Sequence, residues 1–316
     1  MGTDFYYKGN TFDDKGSSTG VNSEYFSKGN MPDDKIILIL ESLTRDKSNT
    51  VFIVTGREKK LVSDWFSSKL SIYLDVSNLG LASEHGYFYR YNSNNDRWDK
   101  MIKDLNSEWR KTTVELLEPY TDRCEGSFIE VKEASVVWQY RDCDNEMGKS
   151  FANVMTIEME NSLKKLNLNI INGKGYVEIK PKGINKGAFA SFILKEELKK
   201  GRKPDLIICI GDDIADEEMF KYVQKVKPKL TNYVPNVKDY LITVGKKPSN
   251  AQYYVDHSQQ VKELLDGFMQ VSIRKRNAHS LFDLKANNES TSDQSFSSNN
   301  SNNTKEHHMT RHVLIH

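Results

Sequence analysis

Long apolar runs are absent from this 316-residue sequence. No stretch approaches the roughly 18 consecutive apolar residues that a membrane-spanning helix needs. An excess of charge of either sign is absent as well, since 45 Lys and Arg stand against 44 Asp and Glu, for a net charge of +1. That balance argues against nucleic-acid binding driven by charge alone. We therefore expect neither a membrane nor a nucleic acid as the partner of this chain.

Cysteine is scarce. The three cysteines, Cys124, Cys143 and Cys209, are odd in number and share no spacing typical of metal ligands. The first residues carry no secretory signal, so we expect reduced thiols and a cytoplasmic location. The length is enough for one large domain or two modest ones.

Apolar patterning divides the chain. A strand, a tight glycine turn and a helix follow one another from about residue 50, which favours a parallel α/β sheet. This pattern stops near residue 105 and resumes near 185, with short strands and helices between, so an inserted α+β domain is the economical explanation. The sequence predicts four parts: an irregular segment at 1–31, an α/β core at 32–105 and 185–272, an α+β cap at 106–184, and a disordered Asn/Ser-rich tail at 273–316.

A cluster of carboxylates follows the apolar run Leu206–Ile210. Asp212, Asp213 and Asp216 lie where a buried strand turns into a helix, and ligands of parallel α/β folds gather at the carboxyl ends of strands. Carboxylate oxygens are ligands that Mg²⁺ prefers. The alternative is that Asp213 or Asp216 caps the next helix. Spacing alone leaves both interpretations open.

Two further segments could contact phosphate. Thr55 follows a predicted strand and precedes a glycine turn, which can hold phosphate oxygens. Lys186 lies in the first turn of a predicted helix, where a point charge beside amide donors suits a phosphate or an acyl-phosphate. The alternatives are an ordinary helix cap for Thr55 and a solvated side chain for Lys186.

In this order, the hydroxyl, the lysine and the Gly-Asp-Asp-x-x-Asp segment resemble the motif series of the haloacid-dehalogenase-like phosphatases. Further segments extend the match: Phe52–Arg57, Ser83–Phe88, Ile129–Ala134, Val137–Tyr140, Val177–Pro181 and Thr243–Ala251. Over about residues 32–270 the chain resembles the trehalose-6-phosphate phosphatase family, and most of all the C-terminal phosphatase-like half of two-part trehalose-6-phosphate synthase proteins. The resemblance implies a haloacid-dehalogenase-like parallel core with an inserted cap.

The resemblance also implies roles for individual residues. In the family an aspartate attacks phosphorus, a second aspartate two residues later protonates the leaving sugar oxygen, and Mg²⁺ offsets the charge. Carried over, Thr55 holds a phosphate oxygen and Lys186 steadies nucleophile and phosphate. The Mg²⁺ ligands would be Asp212 and Asp216, with Asp213 close by. The sugar contacts would be Glu130, Lys132, Glu178 and Lys180, for which the alternative is a charged outer sheet face.

The family's first motif, Asp-x-Asp-Gly-Thr after an apolar strand, is not found. The candidate segment Phe5–Phe12 places Tyr6 at the nucleophile's position and Lys8 at the acid's, and neither residue can do that work. The apolar strand before this motif is cut off at Met1, so we expect a truncated first core strand. Its loss predicts exposure of Val51–Val54 and Leu206–Ile210, and Mg²⁺ that is weakly held or lost.

Three hypotheses follow. The first is a trehalose-6-phosphate phosphatase-like domain in trehalose biosynthesis that is catalytically impaired and binds trehalose-6-phosphate or a related sugar phosphate. The second is an active Mg²⁺-dependent phosphatase, either because its N-terminal motif lies outside this chain or because an unrecognised residue replaces it. The third is a regulatory partner of a trehalose-6-phosphate synthase domain or subunit.

Overall fold

The computed structural model describes residues 6–8, 32–67, 78–93, 97–103, 105–290 and 310–315. For 6–8, 279–290 and 310–315 it describes the course of the main chain alone. Two sheets organise these residues, one of eight strands and one of five. We call the layers around the first sheet the core, and those around the second the cap.

The core sheet is built from β-branched and apolar segments. Its strands are β2 (Asn49–Val54), β3 (Gly80–Ser83), β4 (Phe88–Arg90), β5 (Asp99–Lys100), β10 (Pro204–Gly211), β11 (Lys238–Val244), β12 (Tyr253–Val255) and β13 (Thr310–Ile315). Their order is β12-β11-β10-β13-β2-β3-β4-β5. The strands from β12 to β3 run parallel, and β4 and β5 add antiparallel pairs at one edge. The expected parallel α/β core is therefore confirmed.

Helices cover both faces of the core sheet. They are α1 (Asp34–Arg45), α2 (Lys59–Ser67), α5 (Lys186–Lys199), α6 (Ile214–Leu230) and α7 (Ser258–Ser290). One apolar cluster joins α1, α2 and α7 to one face, and a second joins α5 and α6 to the other. Helix α1 begins where the Asp33 side chain accepts a hydrogen bond from the Ile36 N–H at 2.9 Å. None of these described helices is long and apolar enough to span a lipid bilayer.

The position between β2 and β10 is filled by β13 from the other end of the chain. Val313 pairs with Val51 on one side and with Ile208 on the other. The predicted exposure of Val51–Val54 and Leu206–Ile210 is therefore wrong: Val51 is 1% and Ile208 0% exposed. Pairing on both sides satisfies main-chain groups that a gap in the sheet would leave without partners.

The N-terminal segment lies elsewhere. β1 (Tyr6–Lys8) pairs antiparallel with β6 (Phe128–Val131) at the edge of the cap sheet, with Tyr6 opposite Glu130. Tyr6 and Lys8 therefore do not lie beside β2 and β10, where we expected the remnant of the first core strand. The rest of the segment expected to be irregular at 1–31 lies outside the described residues.

The cap sheet has the order β1-β6-β7-β9-β8. Its other elements are α3 (Glu108–Thr121), β7 (Val136–Gln139), α4 (Asn145–Ser162), β8 (Leu168–Gly173) and β9 (Tyr176–Pro181). Helices α3 and α4 cover one face, and fully buried Trp138 lies in the apolar cluster that they form with it. The other face carries the charged residues of the site.

The tail predicted to be disordered from residue 273 is partly ordered. Helix α7 continues to Ser290, and β13 returns to the core sheet. Arg276 donates to the Ser42 carbonyl and Ser42 Oγ of α1, both at 3.0 Å. Composition does not reveal such specific polar contacts. For this reason the predicted start of the disordered tail at residue 273 lies within a helix. Residues 291–309, which hold the Asn/Ser run, lie outside the described residues.

Candidate functional site

Thr55 directly follows β2 and begins the turn that was expected to contact phosphate. Its side chain is 7% exposed, and Oγ1 accepts a hydrogen bond from the Arg57 N–H at 3.2 Å. The Thr55 N–H donates to the Ala82 carbonyl of β3 at 2.9 Å. The hydroxyl is thus fixed by the turn itself at the carboxyl end of a central strand.

Lys186 is not a solvated lysine. It opens α5, whose N-cap Asn185 accepts a hydrogen bond from the Ala188 N–H at 2.7 Å, and its side chain is 1% exposed. Its Nζ lies 2.9 Å from Oδ1 of Asp216, which is completely buried. Burial lowers the pKa of Lys186, although the charge of Asp216 opposes that change.

Asp216 has both carboxylate oxygens engaged. Oδ1 accepts from Lys186, and Oδ2 accepts from the Asp213 N–H at 2.9 Å. Asp213 in turn caps α6 through the Ile214 N–H, so the two aspartates form a capping box. Gly211 is needed here because a Cβ at that position would lie 2.2 Å from the Asp216 Cγ.

The donor set does not fit a magnesium ion as it stands. Asp216 is engaged by a lysine and by the main chain, and the Asp212 carbonyl accepts from Lys247 Nζ. Among the residues that the structure describes, no three His, Cys, Asp or Glu side chains are grouped closely enough to hold a metal. The spacing left open whether these aspartates bind a metal or cap the helix. In the structure Asp213 and Asp216 cap α6.

Two of the predicted sugar contacts form an ion pair above the glycine turn. Lys132 Nζ lies 3.3 Å from Glu130 Oε1 and donates to the Gly56 carbonyl at 3.4 Å. Gln139 of β7 donates to the second oxygen of Glu130 at 3.0 Å. The cap residue Lys132 therefore reaches the turn of the core that carries Thr55.

The other two predicted sugar contacts are buried. Glu178 is 5% and Lys180 1% exposed, and their charged groups lie 3.1 Å apart. A charged outer sheet face does not describe them, because they lie against the core. Burial on its own would raise the pKa of Glu178, but His85, Lys180 and Lys132 outweigh burial and hold that pKa well below its ordinary value.

The sequence motifs assign no role to two further residues of the site, His85 and Glu84. His85 Nε2 lies 3.2 Å from Glu178 Oε1, and Glu84 Oε2 accepts from the Ala134 N–H of the cap at 2.7 Å. Both belong to the segment Ser83–Phe88, which the family resemblance includes without a role for either side chain. They lie in the left-handed turn Glu84–Gly86, in which all three residues have positive φ.

Glu84 is a buried carboxyl group that can ionise. It is 3% exposed, and burial raises its pKa from an ordinary 4.5 to about 7, although the Ala134 N–H, Lys132 and Lys59 act in the opposite direction. The unfolded chain releases this proton near pH 4.5 and the folded chain near 7. Stability is therefore lost as pH rises through this window, because ionisation is harder in the folded state.

Glu84→Gln is expected to remove this pH dependence, because the amide oxygen still accepts from Ala134 and carries no charge. At about pH 8 the variant should exceed the wild type in free energy of unfolding by up to about 3 kcal/mol, with little difference at about pH 4. Urea denaturation at both pH values measures this. Equal differences at the two pH values would show that Glu84 is not the titrating group, and Glu160→Gln on the exposed side of the cap is the matched control.

Comparison with known proteins identifies the family of this chain. The profile described as trehalose-phosphatase matches residues 16–259, which is more than half of the chain. The chain belongs to the trehalose-phosphatase family. Residues 16–259 thus belong to a trehalose-phosphatase-like domain.

Individual relatives agree with this assignment. The chain is 35% identical over 238 residues to a probable alpha,alpha-trehalose-phosphate synthase (UDP-forming) of Arabidopsis thaliana, covering 75% of this chain and 26% of the relative. It is 30% identical over 211 residues to a trehalose-phosphatase of Zygosaccharomyces rouxii, covering 62% and 23%. The chain thus spans about a quarter of the length of the curated relatives it matches.

A solved structure supports the fold. The C-terminal domain of Candida albicans trehalose-6-phosphate phosphatase aligns with a TM-score of 0.64 and 26% identity, over 76% of this chain and 84% of that one. The haloacid-dehalogenase-like core with an inserted cap is therefore shared with a trehalose-6-phosphate phosphatase.

Proposed function

We propose that this trehalose-phosphatase-like domain binds trehalose-6-phosphate, in the cytoplasm and as part of trehalose biosynthesis, with phosphatase activity that is absent or strongly impaired. One observation carries the proposal: the residues that match the family's later motifs are present, but the central strand lacks the carboxylates of the family's first motif. Lys132 of the cap contacts the turn that carries Thr55, and Glu178 of the cap lies 3.2 Å from His85. The strand between β2 and β10, in contrast, carries no carboxylate.

The cap residues supply the recognition of the sugar in this proposal. Glu130 and Lys132 form one ion pair and Glu178 and Lys180 another, both next to the Thr55 turn. Charged groups that are already desolvated select strongly for hydroxyls that complete their hydrogen bonds, because a ligand without them leaves buried charges unsatisfied. The phosphate would lie against Thr55 and Lys186.

The impairment follows from the missing carboxylates. Phosphoryl transfer of this kind needs a nucleophile at the end of the central strand, and Tyr6 and Lys8 lie in the cap sheet instead. Phosphatases of the haloacid-dehalogenase-like class generally use Mg²⁺, yet Asp216 is engaged by Lys186 and Asp213. We therefore propose a ligand that is held and not turned over.

Calorimetry with trehalose-6-phosphate tests the binding. The wild type should release or absorb heat on binding, and Glu178→Gln should bind about tenfold or more weakly, because hydrogen bonds to a charged group contribute about 1.5–3 kcal/mol. Glu160→Gln, an exposed carboxylate of the cap, should bind as the wild type does. Absence of binding heat from the folded wild type, or an unchanged affinity in Glu178→Gln, would refute the proposed site.

A second candidate function is regulation of a synthase. It is supported by the likeness to Arabidopsis thaliana relatives that are named as synthases. The matched region forms about a quarter of each of these relatives. Here the domain would bind a trehalose-6-phosphate synthase domain or subunit. Gel filtration of the purified chain with such a synthase, with and without trehalose-6-phosphate, would reveal a complex, and separate elution in both cases would remove this candidate.

A further inference from the structure

His85 is held in an unusual main-chain conformation. Its φ is 58°, between Glu84 at 47° and Gly86 at 92°. Left-handed conformations are costly for residues other than glycine and persist where the surroundings over-determine them, often at functional sites. Two hydrogen bonds fix the turn to the end of β2: the Glu84 N–H donates to the Arg57 carbonyl at 3.0 Å, and the His85 N–H to the Thr55 carbonyl at 2.9 Å.

The imidazole of His85 spans the boundary between core and cap. Its Nε2 lies 3.2 Å from Glu178 Oε1 on β9. The ring also packs on the glycine turn, since a Cβ at Gly56 would come within 2.9 Å of the imidazole Cε1 and Nε2. One side chain thus contacts both the turn beside Thr55 and the buried carboxylate of the cap.

The protonation of His85 follows from its surroundings. Burial lowers the pKa of His85, and Lys180 of the cap and Lys186 of α5 act in the same direction against the charge of Glu178. A neutral imidazole beside a carboxylate carries its proton on the nitrogen that faces the carboxylate. That places the proton on Nε2, while Nδ1 is buried and has no hydrogen-bond partner among the residues that the structure describes.

We propose that His85 is a positioning residue: its Nε2–H holds the Glu178 carboxylate for the sugar and ties β9 of the cap to the Thr55 turn. The inference rests on the proposed function for its ligand, and on the geometry alone for the hydrogen bond. In this proposal His85 acts through Glu178 and not by contact with the ligand. Because the same turn is bonded to Thr55, the sugar end and the phosphate end of one ligand would be aligned through a single rigid segment.

Imidazole nitrogen NMR on histidine-labelled protein tests the hydrogen bond without any ligand. We expect His85 to be neutral near pH 7 with its proton on Nε2, and Glu178→Gln to change this resonance, while exposed His257 stays unaffected. A proton on Nδ1, or a His85 signal that does not respond to Glu178→Gln, would overturn the inference. A purely structural role for the ring would not move this signature.

Affinity for trehalose-6-phosphate tests the positioning. His85→Phe keeps a ring without a donor and should bind about tenfold or more weakly, since Oε1 of the buried Glu178 carboxylate loses the imidazole donor and the Lys180 pair is kept. His85→Gln keeps an N–H donor and should stay within about threefold of the wild type, as should His257→Phe on the surface. If His85→Phe does not fold, His85→Asn replaces it, because asparagine tolerates positive φ and is too short to reach Glu178.

Two results overturn the positioning role. One is wild-type affinity in the donor-free variant, and the other is equal loss in His85→Gln and His85→Phe. Absence of binding in the wild type would refute the proposed function and the positioning of a sugar with it. The nitrogen NMR would still decide whether His85 donates to Glu178, so the two failures are distinguishable.

Discussion

Lys186→Met is expected to lower the free energy of unfolding by about 3–5 kcal/mol, because it leaves the carboxylate of Asp216 buried without its cation. The methionine fills a similar volume, so the loss reports the charge and not a cavity. Urea denaturation followed by circular dichroism measures it. Lys182→Met, a change at an exposed lysine four positions earlier, should stay within about 0.5 kcal/mol of the wild type.

The double variant Lys186→Met with Asp216→Asn shows whether the charge is responsible. Replacing both members of a buried ion pair costs far less than replacing one, since no unpaired charge stays buried. We expect the double variant to be more stable than Lys186→Met alone. A double variant as unstable as the sum of the two single changes would contradict the ion pair as the source of the effect.

Val313→Pro is expected to destabilise the domain by about 3 kcal/mol or more, because Val313 lies in the middle of β13 and is paired with strands on both sides. Proline removes a main-chain donor and is almost confined to edge strands. The free energy of unfolding in urea, and hydrogen exchange of the β2 and β10 amides, report the effect. Exchange in both neighbouring strands should accelerate together.

Ser298→Pro is the matched control, since it introduces the same residue in the Asn/Ser run outside the described part of the chain. It should leave both the denaturation midpoint and the exchange of β2 and β10 unchanged. If the two proline variants behave alike, β13 does not stabilise the core sheet.

Local patterns predict most of the regular elements. The apolar run at 206–210 lies within β10 (Pro204–Gly211), and Thr50–Val54 lies within β2 (Asn49–Val54). In both cases β-branched residues continue up to a glycine or a polar turn, so the signal is contained in the segment itself. The paired strands β8 and β9 follow similarly from the turn between them.

The placement of β13 depends on distant partners and not on a local pattern. Six residues after a polar run carry too little signal to indicate a central strand, and their partners β2 and β10 are far away in sequence. Tyr6–Lys8 gives a similar lesson, because its short apolar segment pairs with β6 of the cap and not with the core. Strand pairing between distant segments is set by tertiary structure, which overrides short local preferences.

In the candidate site too, local motifs predict some residues and others depend on distant contacts. Motif order brings Thr55, Lys186, Glu178 and Lys180 into one proposal. In the structure His85 bonds to the Thr55 carbonyl through its N–H and lies 3.2 Å from Glu178, whereas Lys186 pairs with Asp216. Spacing cannot say whether Asp216 faces a metal or the lysine, since both arrangements use the same residues. The role of His85 depends on a left-handed turn and on a contact 93 residues along the chain, neither of which has a local signature.

Phosphate release from trehalose-6-phosphate in the presence of Mg²⁺ tests the central claim most directly, namely that the domain retains the sugar-phosphate site without a working nucleophile. The assay would run beside the Candida albicans trehalose-6-phosphate phosphatase domain, which shares its fold. We predict release that is slower by several orders of magnitude than in that enzyme and unaffected by Asp212→Asn. Robust turnover that Asp212→Asn abolishes would contradict the account and establish an active phosphatase.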